Sequence, residues 1–237
     1  MIKSKDFLIL GLSIFILQSS VFAQSFEQKI YRYYISGDIN SWQKELEVPN
    51  PESLGQEDLY NLALAHYGFI GYCLGRDEKQ RARPYLDRVE GYAEILLSRN
   101  PDEPKYVALR GALFGFRLIY QPQKMMTIGP KSLKYINRAM ELDPECPQAL
   151  VENANTDWFM PAMFGGSRDK AVEGYKKAIS NLEKDPASLK DSWYYLNLHI
   201  ALAGWYEERN MTFMAREMYR KAIQVDPAFS WAREKLK

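Results

Sequence analysis

Histidine and cysteine are nearly absent, with two of each in 237 residues, and that scarcity removes most routes to catalysis. Neither Cys73 nor Cys146 has a Cys or His neighbour at ligand spacing, so no metal site can be assembled around them. His66 and His199 stand far apart in the chain and are read as helix-packing residues. The sequence also lacks a nucleophile elbow, a phosphate-binding loop and a metal-ligand pair. These absences point away from an enzyme and call for no cofactor. An excess of charge of one sign is missing as well. The formal net charge is +1, which supplies no electrostatic footprint for nucleic acid or a membrane surface. Long hydrophobic runs are missing except near the start. Phe7–Leu17 is uninterrupted but falls well short of the roughly 20 apolar residues that span a bilayer.

That early run has a different reading. Lys3 and Lys5 precede it, and Val21-Phe22-Ala23 places small residues where a signal peptidase reads them. Residues 1–23 are therefore expected to be a signal peptide cleaved after Ala23, and no Cys follows the run to carry a lipid anchor. The remaining chain, 24–237, holds 29 basic and 29 acidic residues and is expected to be exported, soluble and periplasmic, with no membrane span. Its two cysteines would meet an oxidising compartment. They fall in different helix pairs, and buried free thiols are favoured over a disulfide.

What is present is helical periodicity, clearest over residues 195–228. Leu198, Ala201, Leu202 and Trp205 recur at three- or four-residue spacing. Asn210-Met211-Thr212 breaks the period, with Thr212 the expected cap of the next helix. Ala215, Tyr219, Ala222 and Ile223 then keep one apolar face, while Arg216, Glu217, Arg220 and Lys221 occupy the other. Asp226-Pro227 ends the unit. Leu202, Ala203, Tyr206, Ala215, Tyr219, Ala222 and Pro227 stand in the order and spacing of the tetratricopeptide repeat, a helix–turn–helix unit of about 34 residues. The stretch resembles that family, and only His199, where the family often carries Trp, departs from it. Ala171, Tyr175 and Ala178 repeat the pattern over 152–186. The resemblance implies an all-α, right-handed helical solenoid of about five helix pairs over 24–237.

Earlier pairs are less regular. A degenerate pair covers 24–50. The second covers 56–75 and about 78–99, closed by Asn100-Pro101. The third covers 103–121 and 130–142, with Gly111 and Gly115 thinning its first helix and Gln121–Gly129 as a loop. The fourth covers 147–163 and 167–184, and Phe229–Leu236 forms a polar closing helix, which a repeat array needs over its last apolar face. Phe164-Gly165-Gly166-Ser167 is read as a tight turn capped by Ser167 in preference to an anion site. This turn after an aromatic helix is similar to periplasmic repeat proteins such as the T component of tripartite ATP-independent transporters, a similarity that implies periplasmic ligand or partner binding.

Arg110 and Arg117 are seven residues apart and share a helix face, and Asn153 and Asp157, four apart, lie on the next pair's first helix. In the family the first helices line a concave groove. Arg110, Arg117, Asn153, Asp157 and Trp158 are accordingly the candidate binding residues, suited to a carboxylate or a peptide end. The function expected is a non-catalytic interaction scaffold of the bacterial cell envelope, binding a protein or peptide partner in that groove. The alternative is a periplasmic small-ligand binder associated with a transporter. A deep pocket of Arg110, Arg117 and Asp157 would favour the alternative.

Overall fold

A computed structural model describes residues 25–237; the expected signal peptide lies outside them. The described residues form eleven α-helices and four short 3-10 turns, with no strand. The helices are α1 (Phe26–Ser36), α2 (Ile39–Glu45), α3 (Gln56–Gly75), α4 (Lys79–Arg99), α5 (Pro104–Tyr120), α6 (Met125–Leu142), α7 (Pro147–Phe159), α8 (Arg168–Leu182), α9 (Trp193–Glu208), α10 (Thr212–Val225) and α11 (Ser230–Glu234).

Local chemistry explains most of the boundaries. Ser25 and Gln28 form a reciprocal capping box at the start of α1, and Gly37 ends it in the left-handed conformation. Pro104 and Pro147 open α5 and α7, where a missing N–H costs nothing. Asn100-Pro101, Asp143-Pro144, Asp185-Pro186 and Asp226-Pro227 follow α4, α6, α8 and α10 in turn, because the residue before proline is pushed out of the helical region. That rule also corrects one expected boundary. Helix α7 stops at Phe159, short of 163, since Met160 precedes Pro161 and is extended at ψ 133°.

Two further expectations are corrected. Thr212 does not cap α10; it is the first helical residue, and Met211 before it offers no side-chain cap. The turn is made instead by Asn210, held at φ 57°, a conformation Asn tolerates. Residues 121–129 are not one long loop. Pro122–Lys124 completes the turn as a 3-10 segment and α6 begins at Met125, taking Pro130 into its interior.

Each of α3/α4, α5/α6, α7/α8 and α9/α10 is an antiparallel hairpin, and the first helices run parallel to one another. Early residues of α3 and α5 meet through Tyr60 and Tyr106, 5.4 Å between ring centres, and later ones through Tyr67 and Phe116, stacked at 5.2 Å. The hairpins close tightly where small residues allow. A side chain at Gly111 would strike Ile136 and the backbone of Ser132 on α6, and the Ser132 hydroxyl donates to the Gly111 carbonyl at 2.8 Å. Gly115, expected to act likewise, faces open space.

The solenoid winds until its ends meet. Trp193 of α9 lies against Gly68 of α3, where any Cβ would overlap its ring. Its indole also packs edge-on to Trp42 of α2 at 5.0 Å. Tyr31 of α1 donates to Asp226 beyond α10 at 2.8 Å, and Ser230 of α11 donates to the Ile35 carbonyl. The first pair therefore covers the interior as a plug, and one hydrophobic core runs from Ile30 to Ala232. Cys73 belongs to that core and Cys146 to a small separate cluster with Val107, Ala108, Ala139 and Ala149. Both are free, buried thiols.

Candidate functional site

The side of the solenoid expected to be an open groove is filled. Helix α7 carries Gln148, Glu152 and Asn155 on one face, and that face looks inward at tyrosines from α3, α8 and α9. Gln148 and Asn155 each donate a side-chain N–H to the Glu152 carboxylate, at 2.6 and 2.9 Å. The Tyr175 hydroxyl donates to the Asn155 oxygen at 2.8 Å, and Asn155 also reaches the Tyr67 hydroxyl at 3.3 Å. Tyr60 closes the other end at Gln148. Glu152 is only 2% exposed. Burial pushes its carboxyl up to about 7, against the hydrogen bonds that favour the charged form. The Tyr194 hydroxyl is buried in the same neighbourhood with no partner.

Sequence reasoning passed over this cluster. Its signal was available: three amide or carboxyl side chains at i, i+4 and i+7 share one face of a helix, within a chain of 16 Tyr.

The five expected binding residues do not come together. Arg110 and Arg117 of α5 turn toward the preceding α4, because α4 presents Asp87, Glu90 and Glu94 as an acidic stripe at helical spacing. Arg117 forms ion pairs with Asp87, at 2.7 Å, and Glu90, at 2.5 Å, and Arg110 pairs with Glu94 at 3.0 Å. The Arg110 guanidinium also lies over the Phe114 ring, 4.4 Å from its centre. Trp158 is a core residue, stacked face to face on Trp205 of α9 at 4.3 Å with only 5° between planes. Asp157 is half-buried, and its backbone carbonyl accepts the Ser167 N–H at 2.9 Å. Burial raises its carboxyl somewhat. Asn153 is half-buried on the same helix. These three residues take no part in the arginine cleft.

That cleft, about 600 Å³, lies between α5 and the start of α6 and is lined by Arg110, Phe114, Arg117, Gln121, Lys124, Thr127, Ile128 and Lys131, with Glu90 at its wall. Lys124 and Lys131 were not foreseen as site residues, since they become neighbours of the arginines only when α6 folds back on α5. Two arginines and two lysines thus line the cleft, the arginines already paired with Asp87, Glu90 and Glu94 of α4. They are not equivalent: two carboxylates hold Arg117, whereas Arg110 is held by Glu94 alone and its other terminal nitrogen is buried without a partner. Such a donor is costly to leave unsatisfied.

Both histidines are buried, and burial lowers each to about 4. His66 Nδ1 lies 2.9 Å from the Leu62 carbonyl. Ser167 caps α8, accepting the Lys170 N–H at 3.3 Å, so the Phe-Gly-Gly-Ser segment is a capped turn. Among the described residues no group of His, Cys, Asp or Glu could hold a metal ion, and no helix is long and apolar enough to cross a membrane.

Among solved structures the chain is similar to a thermophilic TPR protein, TTC0263, of Thermus thermophilus. The identity is 18%, the match covers 89% of this chain and 96% of that one, and the TM-score is 0.51. The fold is the tetratricopeptide-repeat solenoid. Lesser likenesses are to the HusA haemophore of Porphyromonas gingivalis (21% identity, 81% and 96% covered, TM-score 0.48) and to the C-terminal part of a TPR repeat-containing protein of Cytophaga hutchinsonii (15%, 90% and 86%, 0.44). No family model and no curated protein matches the sequence. The repeats of this solenoid are long: Pro101, Pro144, Pro186 and Pro227 recur at intervals of 43, 42 and 41 residues, against about 34 in the consensus unit.

Proposed function

We propose that the protein is a non-catalytic interaction scaffold of the bacterial cell envelope, exported with cleavage after Ala23, which binds an acidic or carboxylate-bearing segment of a protein partner in the cleft of Arg110, Arg117, Lys124 and Lys131. The observation that carries this reading is the unpartnered nitrogen of Arg110 in a cleft that Lys124 and Lys131 also line, neither lysine forming an ion pair among the described residues. Charge-assisted hydrogen bonds to such a guanidinium are the strong ones, and a carboxylate fits its fork. The cleft is an open trough, which accommodates a chain passing along it better than an enclosed small molecule. Asp157 does not join it, so the deep pocket that would favour a transporter-associated ligand binder is not formed. The tetratricopeptide fold supports the reading in general terms, since stacked helix pairs present extended surfaces to partners.

The test is titration of a hexaglutamate peptide and a hexalysine control into the protein by calorimetry. Binding of the acidic peptide alone is expected. Arg110→Ala is expected to cost roughly 1.5–3 kcal/mol. The loss at Arg117→Ala should be smaller, because its charge is already matched by Asp87 and Glu90. Unchanged affinity in a folded Arg110→Ala/Arg117→Ala double variant would sink the site. N-terminal sequencing of the exported protein should begin at Gln24; an intact Met1 would defeat the export reading.

A further inference from the structure

Large apolar side chains are exposed mostly along one edge. The parallel first helices put the turns α3–α4, α5–α6, α7–α8 and α9–α10 together on that edge. The Tyr120 hydroxyl at the end of α5 donates to the Lys79 carbonyl at the start of α4 (2.8 Å), linking the first two turns. An Arg209–Asp169 ion pair at 2.6 Å links the last two. Of the eleven exposed large hydrophobic residues among those described, nine lie at these turns or the helix ends that frame them. The most prominent are Met126 at 85% exposure, Phe159 at 76%, Met163 at 83%, Phe164 at 68% and Phe213 at 71%. Large apolar side chains concentrated on one edge in this way mark an interaction surface.

We propose that this edge is a membrane-docking rim, with the Phe and Met tips entering the interfacial region of a bilayer that carries anionic lipid. Two features select lipid over a protein partner. The tips stand almost free of neighbours and come from separate turns, so a protein would need a matched pocket for each, whereas a bilayer interface yields to any arrangement of apolar tips. The charges between them also lean to one sign. Asp77, Glu78, Asp169 and Glu207 are each held in an ion pair with Lys79, Arg81, Arg209 and Lys235. Arg76, Lys124, Arg168 and Lys170 form no ion pair among the described residues, against one such acid, the exposed Glu208. The near-zero charge of the whole chain hides this local excess, which is complementary to phospholipid phosphates. The rim shares Lys124 with the cleft but none of its arginines, so loss of the phenylalanine tips tests the rim separately from the acidic-partner reading.

The experiment is flotation of the chain from Gln24 onward, which contains the entire described fold and its core, with vesicles of phosphatidylglycerol and phosphatidylethanolamine and with phosphatidylcholine vesicles. Wild-type protein is expected to float with the anionic vesicles and to be released by high salt. The triple variant Phe159→Ser/Phe164→Ser/Phe213→Ser should lose about tenfold or more in partitioning, because interfacial binding scales with buried apolar area. Val225→Ser, an exposed apolar residue away from the rim, should float as wild type does. All three phenylalanines are exposed, so the triple variant is expected to keep its circular dichroism spectrum and melting temperature. Equal flotation of the triple variant and wild type would overturn the proposal. So would failure of wild type to bind anionic vesicles, or a wild-type dimer in solution that the triple variant abolishes, which would assign the rim to a second copy of the chain.

Discussion

Helices α5 and α7 each carry a polar stripe along one face, and the two stripes meet opposite fates. Gln148, Glu152 and Asn155 of α7 face inward, find tyrosines, and are sealed there when α3 and α9 close over them. Arg110 and Arg117 of α5 face the acidic stripe of α4 and remain at the surface beside a cleft. The difference lies in the neighbours. A carboxyl surrounded by hydroxyl and amide donors can be buried if it keeps its proton, whereas a guanidinium cannot shed its charge and must keep carboxylates or water beside it. One stripe therefore serves the interior, and the other stays beside the cleft, paired with α4.

The sharpest way to break this comparison is to put a permanent charge in the interior. Glu152→Lys should destabilise the protein by about 3–5 kcal/mol, since a cation buried among hydroxyl and amide groups finds no carboxylate to pair with. A urea midpoint close to wild type would show that the tyrosine cage is open to water. Arg117→Glu on α5, by contrast, should leave the fold in place.

Next in size is a pH effect with a definite sign. The folded-state carboxyl of Glu152 lies at about 7, above the roughly 4.3 of an exposed Glu. Between these values the folded protein holds a proton that the unfolded chain has released. Glu152 therefore contributes most to stability below about pH 4, and the contribution fades as pH rises to about 7, with no further change above. The shift corresponds to about 2–4 kcal/mol. Chemical denaturation at pH 5 and pH 8 should show this loss in wild type, and Glu152→Gln, which keeps a neutral side chain at both pH values, should flatten it. Equal pH slopes in the two proteins would place the titration elsewhere.

Ala222 sharpens the comparison at the level of packing. It is completely buried on α10, and Ala222→Leu should cost roughly 1–3 kcal/mol by overpacking. The smallest effect belongs to exposed Lys221 next to it, where Lys221→Ala should change stability by less than about 0.5 kcal/mol. Matching melting temperatures for these two variants would mean that α10 turns a different face to α9.

Much of the fold was legible in the order of residues. Helix period, Pro after each second helix, capping Ser167, and the small–aromatic–small pattern of α8 and α10 are local features, and local sterics and hydrogen bonding suffice to read them. Such cues mark α3, α4, α5, α8, α9 and α10 to within a few residues. They misplaced the start of α6, because a 3-10 turn at Pro122–Lys124 and a proline inside a helix have no unambiguous local signal. The arginine pair was legible as a shared face, but its partners were not. Helical spacing states which residues point the same way and is silent on which neighbouring helix receives them.

What the sequence by itself determined is thus the repeat architecture, the shared face of Arg110 and Arg117, and the near-absence of residues for metal or nucleophilic chemistry. The tertiary structure alone decided that the groove would be filled, that Glu152 would be buried with Tyr60, Tyr67 and Tyr175, that Trp158 would stack on Trp205, and that the exposed apolar tips would line one edge. The physical reason is superhelical winding. Small rotations between successive helix pairs accumulate along the chain, and only their sum brings α1 onto α9 and closes the interior.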